Sequence, residues 1–146
     1  MKSITIYTDG ACKGNPGKGG WGYVAILDDT EFMQYGGNRY TTNNEMELEA
    51  LRQALSFSPK HLRVIVFSDS KYVVDGINIF LPQWKRNGWK TSSNDKVKNL
   101  ELWKDIDERI REFKIEPQIN WIKGHANHPM NEKADRLANL GAEIYI

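Results

Sequence analysis

A chain of 146 residues with 40% hydrophobic content is long enough to bury one compact core and too short for two comfortable domains, so one domain over residues 1–146 is expected. A charged fraction of 27% and an aromatic fraction of 11% exclude global disorder. The formal net charge of +1 does not announce a nucleic-acid protein, but the charge is segregated. Between Trp84 and Lys98 five cations (Lys85, Arg86, Lys90, Lys96, Lys98) accompany one anion, Asp95, a local excess that leaves the rest of the chain net acidic. No apolar run approaches the ~18 residues that span a bilayer, and Met1-Lys2-Ser3 leads into a strand-like segment without a signal-peptide apolar region. A cytoplasmic location with no membrane partner is the resulting expectation. The single cysteine, Cys12, has no disulfide or CxxC partner, which suits a reducing compartment and a small packing or backbone-contact role.

In chain order, Ser3 to Thr8 alternates β-formers up to Asp9-Gly10, and the turn formers from Gly14 to Gly20 predict a strand running into a loop. Trp21 to Leu27 predicts a central strand, Asp28-Asp29-Thr30 a hairpin turn, and Glu31 to Tyr40 a third antiparallel strand. Thr42-Asn43-Asn44 supplies N-cap chemistry for a helix whose Met46, Leu48, Ala50, Leu51, Ala54 and Leu55 recur at helical spacing up to Pro59. Arg63 to Phe67 is a continuous apolar run, as in a strand buried on both faces, and it ends at Ser68-Asp69-Ser70. Two short helices, Ser70 to Asn78 and Phe80 to Arg86, precede a basic loop from Asn87 to Lys98 and a helix from Asn99 to Phe113. Ile119 to Ile122 is a final strand. A last helix, Met130 to Ala142, is expected to turn Ala134, Leu137, Ala138 and Leu140 inward. The fold class is α/β: a mixed five-stranded sheet, three antiparallel strands and then parallel ones, with helices on both faces.

Asp9 and Asp69 fall at the C-terminal ends of predicted buried strands, where ligands gather in open α/β sheets. Glu47 lies one turn into the first helix and Asp135 about one turn into the last, positions from which each can address the same sheet edge. Four converging carboxylates repel one another in a low-dielectric cleft unless a hard divalent cation sits among them. Oxygen-only ligation favours Mg²⁺ or Mn²⁺ over zinc.

The strings TDGACKGNPG, TTNNEMELEAL, FSDSKYV, WKRNGWKT, KGHANHP and NEKADRLA stand in the order seen in bacterial type-1 ribonucleases H, and the chain resembles that family from about Ile4 to Ala142. The resemblance implies a monomeric endonuclease that cuts the RNA strand of RNA/DNA hybrids with two Mg²⁺ ions, leaving 5′-phosphate and 3′-hydroxyl ends. It implies Asp9, Glu47, Asp69 and Asp135 as metal-binding catalytic carboxylates, and His125 as an auxiliary catalytic residue. Cys12, Asn15 and Asn43 map to the minor-groove surface that touches the hybrid, and Thr42 to a pocket for a DNA phosphate. Gln83 belongs to the same pocket but stands where Asn is common; Tyr40 replaces an Arg of some relatives and Lys71 a frequent Gln. The stretch at about residues 80–98, with Trp84, Lys85, Arg86, Trp89 and Lys90, resembles the basic handle that clasps the DNA strand.

Each feature has a plainer reading. A lone Asp at a strand end is usually a turn former or cap, Glu47 can be a helix-surface residue, and Asp135 can pair with Lys133 or Arg136. The cationic run can be a solvated face, although Trp84 and Trp89 would then be costly exposed aromatics. A hybrid-binding module without catalysis would normally have lost a carboxylate. Another nuclease or integrase on the same fold would not carry the TTNNEMEL and handle strings.

Overall fold

In the computed structural model, which describes residues 2–124 and 126–144, the central strand β1 (Ser3–Lys13) is flanked on one side by β2 (Gly17–Leu27) and on the other by β4 (Arg63–Ser68). The five strands run in the order β3-β2-β1-β4-β5, with β3 spanning Thr30–Thr41 and β5 Gln118–Trp121. The β1–β2 and β2–β3 pairs are antiparallel, and the β1–β4 and β4–β5 pairs are parallel. This is the expected mixed sheet.

Strand β1 outruns its expected end. Its pairing with β4 stops at Thr8↔Ser68, but the antiparallel ladder to β2 continues to Lys13↔Lys18. Asp9 and Gly10 therefore lie within the strand, and Gly17 to Gly20 are strand rather than loop. Their glycines answer to close approach rather than to turns: a Cβ on Gly20 would overlap the backbone of the last helix, and one on Gly19 would sit 2.9 Å from Met46 Cγ. The β2–β3 hairpin is closed by Asp28 and Asp29, both at positive φ, the mirror-image turn that matches strand twist.

Helix α1 (Asn43–Phe57) begins in a reciprocal cap. Thr42 Oγ1 accepts from the Glu45 backbone N–H and donates to Glu45 Oε1, both at 3.2 Å. Its buried stripe of Met46, Leu48, Ala50, Leu51, Ala54 and Leu55 is the expected one. It packs on Ile4, Ile6, Tyr23, Val64 and Val66 to make the main core.

After β4, helix α2 (Lys71–Asp75) runs without a break through a π-helical turn, Gly76–Phe80, into α3 (Leu81–Arg86). Two separate short helices were expected. The widened turn lets Gly76 lie against the ring of Trp103 on α4 (Leu100–Arg111), where a side chain would clash.

Helix α5 (Pro129–Glu143) covers the opposite face. Along β2, Gly19 faces α1 while Gly20 and Gly22 face α5, so the two helices bracket the sheet. The inward face of α5 is Ala134, Ala138, Gly141 and Ala142. Leu140, expected inside, is 47% exposed, because it follows the buried Ala138 by two residues, about half a turn of helix, and so points away from the stripe that faces the sheet. Among the described residues no helix is long and apolar enough to cross a membrane.

Candidate active site

Strands β1 and β4 are parallel neighbours from which the chain departs in opposite directions, toward β2 and toward β5. The crevice beyond their paired ends is the position where open α/β sheets place their chemistry. Asp9 is the first β1 residue past the β4 ladder, and Asp69 directly follows the last residue of β4. Glu47 enters from α1 because Gly10 permits contact: a Cβ there would lie 2.5 Å from the Glu47 nitrogen. The Gly10 N–H donates to the Glu47 carboxylate. One ligand oxygen each from Asp9, Glu47 and Asp69 falls within 4.8 Å of the others. Asp135, projecting from α5, is hydrogen-bonded to the Asp9 carboxyl. The four predicted carboxylates are thus brought together from β1, α1, the β4 end and α5. His125 lies outside the described residues.

The electrostatics of the cluster are severe. Burial, then the charges of Glu47, Asp69 and Asp135, push the Asp9 carboxyl up to about 10. Burial and the Asp69 charge raise Glu47 well above the ordinary carboxylate range, against the opposing pull of the Gly10 N–H. Without a cation these carboxylates cannot all ionise together, and a proton is retained within the hydrogen-bonded cluster centred on Asp9. Glu47 Oε1 is buried with no hydrogen-bond partner. An all-oxygen donor set, concentrated negative charge and an orphaned acceptor fit a hard divalent cation held by Asp9, Glu47 and Asp69 with Asp135 beside them.

The cluster is framed by further residues, of which the sequence reading singled out Lys71 alone. Trp121 Nε1 donates to the Asp69 carbonyl at 3.2 Å, fixing the backbone that carries this ligand. The Lys71 ammonium sits 5.0 Å from the Trp121 ring centroid. Gly124 leaves space for Asp69 Oδ2, only 2.7 Å from where a Cβ would be. Asn131, in the first turn of α5, is buried with an unpartnered Oδ1. Its place in the NEKADRLA string was the available signal.

Three of the expected substrate-side residues meet at the start of α1. The Asn43 N–H donates to Asn15 Oδ1 at 3.1 Å, beside the capping Thr42. Cys12 joins them through its thiol, 3.3 Å from the Thr41 carbonyl and 3.2 Å from that of Gly14. This is the backbone-contact role expected of it. Tyr40, also nearby in sequence, is 73% exposed.

A family model described as RNase H matches residues 1–143. The chain belongs to the ribonuclease H family. It is 48% identical over 143 residues to a ribonuclease H of Alcanivorax borkumensis, covering 98% of this chain and 93% of that protein. It is likewise 48% identical over 144 residues to a ribonuclease H of Ralstonia nicotianae, covering 99% and 94%. Among solved structures, LC9-RNase H1, described as a type 1 RNase H with the type 2 active-site motif, superposes with a TM-score of 0.87. That match has 28% identity and covers 100% of this chain and 74% of the other. The five-stranded sheet is therefore a ribonuclease H fold, and family membership carries a ribonuclease activity.

In this ribonuclease H the basic segment is built on aromatic packing. Trp84 stacks on Phe80, with centroids 6.0 Å apart, and meets Trp103 edge-on at 5.3 Å. Trp89 packs against the core and lies under Lys104, 5.7 Å away. Both indoles are half-buried. They are not the exposed aromatics that a solvated face would have required, because packing accounts for them. Beyond them the chain folds back through a bridge between Lys90 and Lys96. A groove of about 630 Å³ opens between α2 and this segment, bordered by Lys71, Phe80, Gln83, Trp84, Arg86 and Lys90. Lys85 points elsewhere, to Asp107 on α4.

Proposed function

We propose that the protein is an endonuclease that hydrolyses the RNA strand of RNA/DNA hybrids with two Mg²⁺ ions, Mn²⁺ being able to substitute. The observation that carries this reading is the convergence of Asp9, Glu47 and Asp69 within 4.8 Å, with Asp135 bonded to Asp9. Asp9, Glu47, Asp69 and Asp135 would hold two divalent cations, which would supply an activated water and stabilisation of the departing oxygen, so that no serine, cysteine or histidine nucleophile is needed.

The chain's own residues then have defined tasks. The Gly10 N–H and the Trp121 indole hold Glu47 and the Asp69 backbone in place. Asp9 would give up its proton when the site is charged for reaction, since that proton is kept by burial, by the charges of three neighbouring carboxylates and by the hydrogen bond with Asp135. Asn43, Asn15 and Cys12 offer short polar side chains and backbone groups, which suit close approach to the minor groove and a 2′-hydroxyl, and the Thr42 hydroxyl beside them suits a phosphate of the DNA strand. The groove's Arg86 and Lys90, with Gln83 and the Trp84 and Trp89 platform, suit the phosphates of the DNA strand. His125 is assigned an auxiliary role in proton movement or product departure. All four carboxylates belong to one chain, which supports action as a monomer, and the lone Cys12 thiol suits the cytoplasm.

The chemistry is tested by the ends it leaves. Cleavage of a hybrid in Mg²⁺ should give RNA products with 5′-phosphate and 3′-hydroxyl groups, so that the downstream product is ligatable and the upstream one extendable. A 2′,3′-cyclic phosphate would make the RNA's own hydroxyl the nucleophile and overturn the mechanism.

A further inference from the structure

The cation-rich segment contains one residue whose charge is already committed. Lys85 Nζ lies 3.1 Å from Asp107 Oδ1, and Asp107 is 4% exposed although it carries a carboxylate. Its second oxygen faces Arg111 Nε at 3.4 Å. The position of this anion follows from the sequence of α4. Trp103, Asp107 and Arg111 recur at four-residue spacing and form one stripe along the helix. Trp103 packs edge-to-face with Trp84, and the next turn takes the neighbouring Lys85. Two successive residues of α3 are thus held by two successive turns of α4, one by ring packing and one by an ion pair whose carboxylate is buried while the lysine side chain is 42% exposed. Arg86 and Lys90 border the groove on the α2 side. Lys85, with Asp107, Ile110 and Arg111, lines only a different depression of about 430 Å³ between α3 and α4, whereas Arg86 borders both.

We infer that Asp107 and Lys85 are positioning residues: their ion pair fixes α3, and through it the basic segment, in the orientation that receives the hybrid, and Lys85 makes no phosphate contact of its own. The inference rests on the proposed hybrid-binding function and revises the role that resemblance gave to Lys85. It also makes a prediction of unusual sign. Removing a negative charge from a protein that binds a polyanion should tighten binding if only long-range electrostatics mattered. Loss of the tether predicts weaker binding, because α3 and its side chains must then be ordered at the moment of association.

The test measures the affinity of the full chain for a fluorescent RNA/DNA hybrid, in chelator so that no cleavage occurs, across a salt series. Lys85→Met and Asp107→Asn are each expected to weaken binding about 3- to 10-fold, the scale of immobilising one or two long side chains. The slope of log Kd against log salt should stay that of the wild type. Arg86→Ala, a groove cation, should instead flatten that slope by about 0.9. In steady state the losses from Lys85→Met and Asp107→Asn should fall mainly on KM. With no nucleic acid present, amide exchange across residues 81–90 should quicken in both variants. If Asp107→Asn does not fold, Lys85→Met decides alone. A Lys85→Met protein that flattens the slope like Arg86→Ala, or an Asp107→Asn protein that binds as tightly as the wild type or more so, overturns the inference. A wild type that prefers duplex DNA to the hybrid would fail the functional reading instead, and the exchange measurement would still judge the tether.

Discussion

Neutralising Asp9 should have two consequences of opposite sign. As a ligand it is indispensable, so Asp9→Asn is expected to abolish Mg²⁺-dependent cleavage while hybrid binding survives. As a buried carboxyl among three others it is a burden on the fold. Its folded-state value of about 10 exceeds that of the unfolded chain, so between about pH 4 and pH 10 the native state binds a proton that the unfolded state has released. The contribution of Asp9 to the stability of the metal-free protein should therefore be greatest below that window and fall as pH rises through it. Asp9→Asn removes this dependence and is expected to raise the Tm of the metal-free protein above pH 7 by about 4 °C or more, as scanning calorimetry at several pH values can check. A variant less stable than the wild type at every pH would show that the carboxyl serves packing instead. His125 belongs to the same scale but to a lesser role. Changing it to Ala is expected to lower kcat roughly 10- to 10³-fold with a smaller effect on KM, the size of one acid–base contribution. Wild-type turnover would reduce His125 to a loop residue.

At the scale of elements, the seating of α5 decides whether Asp135 reaches the cluster. The helix lies so close to β2 and β3 that a Cβ on Gly141 would overlap the Gly36 carbonyl. Gly141→Ala is therefore expected to cost about 1–3 kcal/mol or more, read from the denaturant midpoint, because the overlap is with backbone that cannot rotate away. Gly88→Ala, at φ +67° with open space around it, should cost only about 1–2 kcal/mol of left-handed strain. Equal midpoints for Gly141→Ala and wild type would mean that the helix is free to shift. Helix α1 was fully legible in advance, since its cap and its buried stripe are local properties of residues 42 to 55. The inward face of α5 was legible only in part. Hydrophobicity draws Leu140 inward, although it stands about half a turn from Ala138, and Gly141, which does face the sheet, is seen to be inward only once Gly36 and Gly37 are known to lie beneath it. The overrun of β1 was hidden for a similar reason: Gly10 and Gly17 to Gly20 read as turn formers until their neighbours across the sheet are known. For the basic segment, replacing Arg86 and Lys90 together with Ala should flatten the salt slope of hybrid binding by roughly 1.8, the sum of two phosphate contacts. An unchanged slope would leave the groove a solvated face.

At the scale of the molecule, the charge segregation visible in the sequence becomes two separate surfaces. The acidic cluster is assembled from four elements at the switch point of the sheet, and the basic groove is carried on α2 and α3. The carboxylates could be found beforehand because Asp69 follows a recognisable strand end, Asp9 follows the alternating β-formers from Ser3 to Thr8, and all four lie in motifs. Trp121 and Asp107 could not, because their importance comes from a partner distant in sequence: the Asp69 carbonyl for one, the Lys85 ammonium for the other. The account stands on the claim that the acidic cluster cuts RNA paired with DNA and does so with a divalent cation. The most direct measurement labels the RNA and DNA strands of one hybrid with different dyes and follows both on a denaturing gel, beside duplex RNA and duplex DNA, in Mg²⁺ and then in chelator. The account predicts shortening of the hybrid's RNA strand alone, its arrest by chelator and its absence with Asp9→Asn. Cleavage that persists in chelator or in pure Asp9→Asn protein, or that shortens the DNA strand, would contradict it.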